Sequence, residues 1–560
     1  MKLAFFLIKK AGVFFVSILI TSLLLTIVMI LPLKLNIVQA KSTSSELNEL
    51  KELLVQTSDT NDSVDVATDR KELLIKTIEQ NSDTFFQHVL NSQETSALPR
   101  KLTDLGLVEQ EKVFSGKLKL VIADYFEQKT SSEELFIGNY VIKSNNPRLK
   151  QHINSKIRIK GYVLDNYVII DSDQLIEDST VSISSETNIR DKQVLVVQVK
   201  FNNSTSVTDQ DFLLRSFFQQ NDSVSAYFEE VSFGKVKLTG RTYGPVEIPH
   251  PNDDCSDPYY YDTWATEIDE LINNQGEISI DNYDYVAYSI PDSPCGRPNG
   301  QGELWGKRSW YYNSWGNNLH NFKHEIGHNM GAHHANILEC TGDTKPTLSS
   351  CDSFGYSDDT DVMGFSEGHQ FNGPHKYHVG WIGEEEVQNV WSDEVGSYRF
   401  TIIPSESSEP GTKLIRIHHN IQENNNAYYY LSYRQNIGVD ASLPSLVTQG
   451  TLIHILEYSG FSHWIDTTPD PITDATGHHD GLIFDGDEYG GLSSNISIKQ
   501  LSHNANGAEI EIIISEQDSS QAIKNWQQNW AKGSMRFDYN NDNVVNILDY
   551  LYLLKGILLN

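Results

Sequence analysis

His324-Glu325-Ile326-Gly327-His328-Asn329-Met330-Gly331-Ala332-His333-His334 is the stretch on which the reading of this chain turns. It contains H-E-x-x-H-x-x-G-x-x-H, and two histidines four apart on a helix project from one face about one turn apart, as two ligands of a tetrahedral zinc must. The flanking residues support a helix independently. At about 100° per residue, Leu319, Phe322, Ile326 and Met330 fall within roughly 40° of one direction while His324 and His328 point nearly opposite, so an apolar face packs and the ligand face meets a cleft. Gly331 comes where the helix must stop, because glycine takes a positive φ and turns the chain sharply. His334 then returns as third ligand; His333 beside it is the competitor, and the motif spacing selects His334. Three protein ligands leave a fourth position for water, the arrangement of a catalytic rather than a structural site. Glu325 can accept a proton from that water, orient its attack on a peptide carbonyl and pass the proton to the leaving amine. Chance gives such a five-position match with a probability on the order of one in ten thousand. His320, His369, His375 and His378 read as surface or satisfied core groups and stay outside the ligand set.

Extended by Asp361-Val362-Met363-Gly364, the stretch resembles the metzincin clan of zinc peptidases. Within that clan it is similar to gametolysin-type peptidases. The similarity is carried by the histidine motif, Thr360-Asp361-Val362-Met363-Gly364, Phe371-Asn372-Gly373-Pro374-His375-Lys376, Gly380-Trp381-Ile382 and the β-rich region around Tyr429 to Gln435, within roughly Val194 to Ile514. The resemblance implies that Met363 forms a Met-turn, a hydrophobic floor beneath three imidazoles; without it a buried methionine is more often plain core. It also implies that protein or peptide substrate is added as an extended strand to an edge mapped onto Gly302 to Tyr312. Trp305, Trp310 and Tyr311 there either line subsites or are ordinary aromatics of a half-buried sheet. Phe365 stands where a tyrosine two residues after the methionine would be expected to stabilise an oxyanion. No cysteine precedes Cys255, which excludes a cysteine-based latency switch.

A chain of 560 residues is too long for one ordinary core. The expected class is multidomain α+β, with a metzincin-like catalytic domain of twisted mixed sheet plus active-site helix at 190–385. It is flanked by a small β domain at 111–178, with alternating Ile157 to Val163 and apolar Tyr167 to Ile170, and by a β-sandwich at 386–516. In the catalytic region strands are expected at Val194 to Val199, Lys235 to Thr239, Tyr283 to Ile290 and Glu303 to Tyr312, with a helical stretch around Phe212 to Phe228. Residues 41–110 read as a helical stalk or pro-segment. Lys2, Lys9 and Lys10 precede an almost uncharged run from Ala11 to Pro32, so 1–40 is an export signal: either a signal peptide cleaved after Ala40 or an uncleaved membrane anchor. Both readings place the bulk of the chain outside the cell, secreted or cell-surface anchored.

At 520–560, Asp538, Asn540, Asp542, Val544 through its carbonyl, Asn546 and Asp549 occupy the liganding positions of a calcium loop, with an apolar helix following. The ensemble resembles one half of a dockerin, which implies bound Ca²⁺ and a cohesin-like or cell-surface partner. Position 6 is Asn543 rather than glycine, and one loop stands where a dockerin has two. Acidic residues number 75 against 43 basic ones, and the resulting net charge of -32 argues against a nucleic-acid partner. Of four cysteines, Cys340 with Cys351 would close a short loop and Cys255 with Cys295 a longer one, two other pairings and free thiols remaining open. The expected cofactors are thus Zn²⁺ and Ca²⁺, and the expected activity is that of an exported zinc endopeptidase. The rival reading is a non-catalytic surface binding protein with a structural zinc.

Overall fold

The computed structural model describes residues 110–516 apart from 145–146, 165, 171–174, 177–190, 250–259, 292–296, 340–350, 365–368, 393, 419–427, 458, 468–480 and 494. The expected export signal, stalk and calcium loop, with Asp538 to Asp549, lie outside the described residues. Among the described residues no helix is long and apolar enough to cross a membrane. Cys351 is disulfide-bonded; the other three cysteines lie outside the described residues.

The described chain divides into two compact units, the first formed by residues up to Lys117, Leu135–Leu149 and Lys156–Ser179. Its backbone is mostly short antiparallel pairing: Gln110 to Lys117 lies against Lys156–Leu164, which also pairs with Tyr167–Ile169, while Tyr140–Lys143 runs parallel to Tyr167–Ile169. Ile157, Ile159 and Val163 alternate inward and are buried, as the alternation in the sequence requires, and Val168, Ile169 and Ile170 are all buried, as an apolar run requires.

The second unit takes Leu118–Glu134, Lys150–Ser155 and the described residues from Asp191 onward. Leu118–Glu134 therefore packs with the histidine-bearing region, although it lies far upstream in sequence. The strands that position the site are β1 (Gln110–Tyr125, of which the second half belongs to this unit), β2 (Asp191–Phe201), β3 (Lys237–Ile248), β4 (Tyr285–Ile290), β5 (Gly300–Glu303) and β6 (Arg308–Tyr312). They are ordered β1-β5-β6-β4-β2-β3. β6, β4, β2 and β3 run parallel, β5 runs antiparallel to β6, and β1 runs antiparallel to β5. The central strands are buried on both faces, which is why Val194 to Val199 and Tyr285–Ile290 read as nearly continuous apolar runs, broken only by Gln198 and Ser289, rather than alternating ones.

The expected single strand from Glu303 to Tyr312 is instead a hairpin, because Trp305 adopts φ 56° and Gly306 follows, reversing the chain between β5 and β6. The expected helix around Phe212 to Phe228 is likewise interrupted. It comprises α1 (Gln210–Leu214), a π-helical turn (Arg215–Gln219) and α2 (Val224–Val231), the last capped by the Ser223 hydroxyl accepting from Ala226 N–H. These helices press Leu213, Phe217, Val224, Tyr227, Phe228 and Val231 onto Val194 and Val196. On the other face α3 (Tyr260–Gln275) sets Trp264 edge-on to Phe201, ring centroids 4.8 Å apart.

Downstream, a seven-stranded sheet and a four-stranded sheet enclose one apolar core, with Leu338, Ile415, Leu431 and Ile453 from one and Ile402, Ile498, Ile510 and Ile512 from the other. The larger sheet reaches back to Ala335–Glu339, immediately after His334, so it continues into the histidine region rather than starting at 386.

Candidate metal centre

Leu319–Asn329 forms α5, after α4 (Asn313–Gly316). Asn318 caps it, its side chain accepting from Asn321 N–H at 3.0 Å, as an asparagine before the first turn does. The helix ends as its sequence requires. Gly331 stands at φ +102°, its N–H donates to His328 O (2.9 Å), and Ala332 N–H donates to Gly327 O (3.1 Å), the paired bonds of a Schellman stop. Phe322 and Ile326 are fully buried on the apolar face, Phe322 meeting Phe217 at 4.7 Å and Tyr311 at 4.8 Å between ring centroids.

The opposite face carries the histidines. His324 Nδ1 lies 2.9 Å from Val362 O and His328 Nδ1 lies 2.8 Å from Ala332 O. A carbonyl only accepts, so both Nδ1 atoms carry the proton and both Nε2 atoms present a lone pair, the tautomer a metal needs. The turn at Gly331 returns His334 to the same point. His333 faces elsewhere: its Nδ1 accepts from His334 N–H (2.8 Å), its Nε2 faces Glu133 at 3.2 Å, and Phe461 stacks on its ring.

Asp124, from the end of β1, completes the group. Its Oδ1 lies 2.9 Å from His334 Nε2, and its Oδ2 lies 3.3 Å from His328 Nε2 and 3.6 Å from His324 Nε2. One donor atom from each of these four residues lies within 4.8 Å of the others, and all four residues are buried. Among the described residues, His324 Nε2, His334 Nε2 and both Glu325 carboxylate oxygens are buried and make no well-formed hydrogen bond, the two imidazole lone pairs facing Asp124 oxygens, which are acceptors too. Such atoms are costly to leave unpaired, and imidazole nitrogens with a carboxylate oxygen are a zinc donor set, so these residues fit that ion. Burial opposes ionisation of Asp124, but His334 above all, with His324 and His328, holds its carboxyl well below the usual range. Burial, reinforced by the Asp124 charge, pushes the Glu325 carboxyl well above it. Glu325 lies against β5: a Cβ on Gly300 would sit 1.9 Å from its Oε1, so only glycine admits the carboxylate there.

Met363 lies beneath the helix, its Sδ so near Gly327 that a Cβ there would be 2.5 Å away. Its loop is fixed from several sides. Asp361 accepts from Met363 N–H (2.7 Å), Asn372 N–H (2.7 Å) and His375 Nδ1 (2.8 Å), and Met363 O accepts from Ala335 N–H (3.0 Å). His375 is thus a core group, its Nε2 2.9 Å from Gly460 O. Arg434, fully buried, donates to Thr360 O at 2.7 Å and to Glu406 at 2.7 Å, and also pairs with Asp440. Arg434→Met leaves two buried carboxylates without their cation. It is expected to lower unfolding free energy by about 3–5 kcal/mol, read from urea denaturation; a shift below about 1 kcal/mol would contradict the assignment.

Trp310 and Tyr311 do not line a cleft. Both are buried, Trp310 between Tyr261 and Tyr288 and Tyr311 against Phe322, so the core reading holds for them. Trp305 is partly exposed and packs beside His378. Two site residues carry no local sequence signal. One is Asp124. The other is Tyr356, buried, with φ 58°, its hydroxyl donating to Asp124 Oδ1 and its ring 4.3 Å from that of His334. A non-glycine residue held at positive φ inside a polar cluster is strain of the kind functional sites retain. Phe365 lies outside the described residues.

The chain has no match among curated proteins. Residues 192–462 match the family model described as Gametolysin peptidase M11, so this stretch, which holds His324, His328 and His334 of the buried group but not Asp124, is similar to gametolysin-type metallopeptidases, which act on protein or peptide substrates.

Proposed function

We propose that this chain is an exported zinc-dependent endopeptidase of the metzincin type, in which His324, His328 and His334 hold the metal and Glu325 is the general base. The observation that carries the reading is the convergence of three imidazole Nε2 atoms and a buried glutamate beside the edge strand β5. Zinc bound there would supply Lewis acidity toward the scissile carbonyl and lower the pKa of water. A cation among the imidazoles also favours ionised Glu325, opposing the upward push of burial. Glu325 then takes a proton from the attacking water on a carboxylate oxygen and delivers it to the leaving amide nitrogen. The main chain of Gly300–Glu303 binds the substrate as an added strand.

Tyr356 is the donor available for the oxyanion, because its hydroxyl already points at an oxygen held among the histidines. Tyr356→Phe is expected to lower kcat about 10²-fold with KM little changed, as for loss of one oxyanion donor; equal kcat would remove the tyrosine from the chemistry. Met363 serves as the floor of the site. The calcium loop at Asp538, Asn540, Asp542, Val544, Asn546 and Asp549 serves as a separate anchoring or recognition module, and the N-terminal apolar run directs export.

Incubation of an unfolded protein with the zinc-loaded chain, and with its Asp124→Ala variant, tests the function. Cleavage that stops on chelation and returns with zinc is expected. Absence of cleavage by either form, with zinc bound, would favour the rival reading of a structural metal. One observation does favour that rival: with Asp124 the donor set is four, and structural zinc sites are closed.

A further inference from the structure

The seven-stranded sheet carries a row of aromatic rings that the metal centre does not use. Among the described residues its last strand is Val387–Trp391, paired parallel with Leu414–His418, which in turn pairs antiparallel with Tyr428–Tyr433. The register sets Trp391 opposite His418, with Tyr428 beside it on the third strand. The indole stacks on the His418 imidazole, ring centroids 3.7 Å apart and planes 15° from parallel, and Tyr428 meets the imidazole edge-on at 4.9 Å. Trp391 is nonetheless 46% exposed. His418 covers one face of the indole, and among the described residues no further strand follows to cover the other.

Single exposed apolar side chains are ordinary; what distinguishes Trp391 is how it is held. Asn389 Oδ1, two residues earlier on the same strand, accepts from His418 Nε2 at 2.7 Å and from Arg416 Nε at 2.8 Å, and Arg416 is anchored in turn by Glu384 at 3.1 Å. These bonds fix the imidazole, and the imidazole fixes the indole, so a large flat face is presented with little side-chain freedom left to lose on binding. With its oxygen engaged, the Asn389 amide keeps its two N–H donors, and His418, donating through Nε2, keeps a lone pair on Nδ1. Burial and the neighbouring Arg416 charge hold the imidazole below its usual pKa, so the ring stays neutral. Arg416 and Glu384 form an ion pair, so the patch carries no net charge.

A flat aromatic face flanked by donors and an acceptor, without net charge, matches one ligand chemistry. A pyranose ring has an apolar face of C–H groups that lies on an indole, and rim hydroxyls that each donate and accept. A protein partner would need a wider apolar area than one indole ringed by polar groups, and the chain's net charge of -32 repels a polyanion.

We infer that Trp391, Asn389 and His418 form a binding site for a neutral polysaccharide, one sugar stacked on the open face of Trp391 with its hydroxyls bonded to the Asn389 amide and His418 Nδ1. The site lies on the sheet downstream of the histidines, holds the chain on a glycan-bearing surface and stands independently of the zinc-site reading.

Native affinity electrophoresis of the full chain in gels containing soluble β-glucan, xylan or mannan tests the inference. Wild type should be retarded by at least one of the three, and Trp391→Ala should bind that polymer at least about 10-fold more weakly, as loss of a stacking platform implies. Asn389→Asp, which keeps the shape but exchanges the amide donors for a carboxylate, should weaken binding as well. Retardation by none of the three polymers, or equal retardation of wild type and Trp391→Ala, would overturn the inference. Retardation by an anionic polymer alone, such as polygalacturonate, would overturn it too. Circular dichroism should show Trp391→Ala folded; if it is not, Trp391→Leu, which keeps apolar bulk against His418 without an aromatic face, carries the same expectation.

Discussion

Glu325→Gln is expected to lower kcat for peptide hydrolysis by about 10²–10⁴-fold, measured in the Asp124→Ala background, while the chain keeps its zinc. The substitution preserves shape and removes only the ability to hold a transferred proton. The replacement amide would face the same surroundings, between α5 and Gly300, so a structural role for the glutamate predicts little change. The two carboxylate oxygens of Glu325 make no well-formed hydrogen bond among the described residues, and Asp124, whose carboxylate acts on them, is absent from this background, so little else is lost to confuse the result. Unchanged kcat with zinc bound would remove Glu325 from the mechanism.

His334→Ala should weaken zinc binding at least about 100-fold and abolish cleavage with it. Groups that only orient a ligand are worth about 10–100-fold in metal affinity, so a direct ligand should exceed that range. His333→Ala is the matched control. That imidazole spends Nδ1 on the His334 N–H and sets Nε2 toward Glu133, so its loss should disturb the position of its neighbour and cost about 10-fold. Zinc retained by His334→Ala and lost by His333→Ala would reverse the assignment.

The helical part of the site was legible because it is local. A spacing of four residues puts His324 and His328 on one face in any helix, the apolar residues 319, 322, 326 and 330 repeat with helical period, and Gly331 announces the stop. The buried parallel strands were legible for a similar reason, as apolar runs too regular to be loops. Asp124 was not. It lies 204 residues before His328 in a segment with no motif, and only tertiary pairing of β1 with β5 brings it to the cluster. Tyr356 is equally silent, since its place depends on Asn336 accepting its N–H at 3.0 Å and on an uncommon φ. Trp310 and Tyr311 left two readings open for a different reason: aromatics on a strand beside a cleft look the same in sequence whether they face the cleft or the core. The break at Trp305 was hidden because a tryptophan at positive φ is rare, and nothing in a run of strand-forming residues signals it.

The larger downstream sheet also contributes to the site in a way no motif reports. Ser462 N–H donates to His334 O at 3.1 Å, and Ala335 to Leu338 continue in register with Ser462 to Ile465. The third histidine is therefore held between the helix stop on one side and a sheet ladder on the other. Such support is what keeps a ligand's orientation fixed in the absence of its metal.

The central claim is that one zinc at His324, His328 and His334 makes this chain a peptidase. It is tested most directly by adding zinc stepwise to the metal-free Asp124→Ala chain and following cleavage of a peptide library by mass spectrometry. Cleavage should be absent at the start, rise in proportion to added zinc and level off at about one equivalent per chain, as a single three-histidine site requires. Cleavage by the metal-free chain, or a zinc-saturated chain that cleaves nothing, would contradict it.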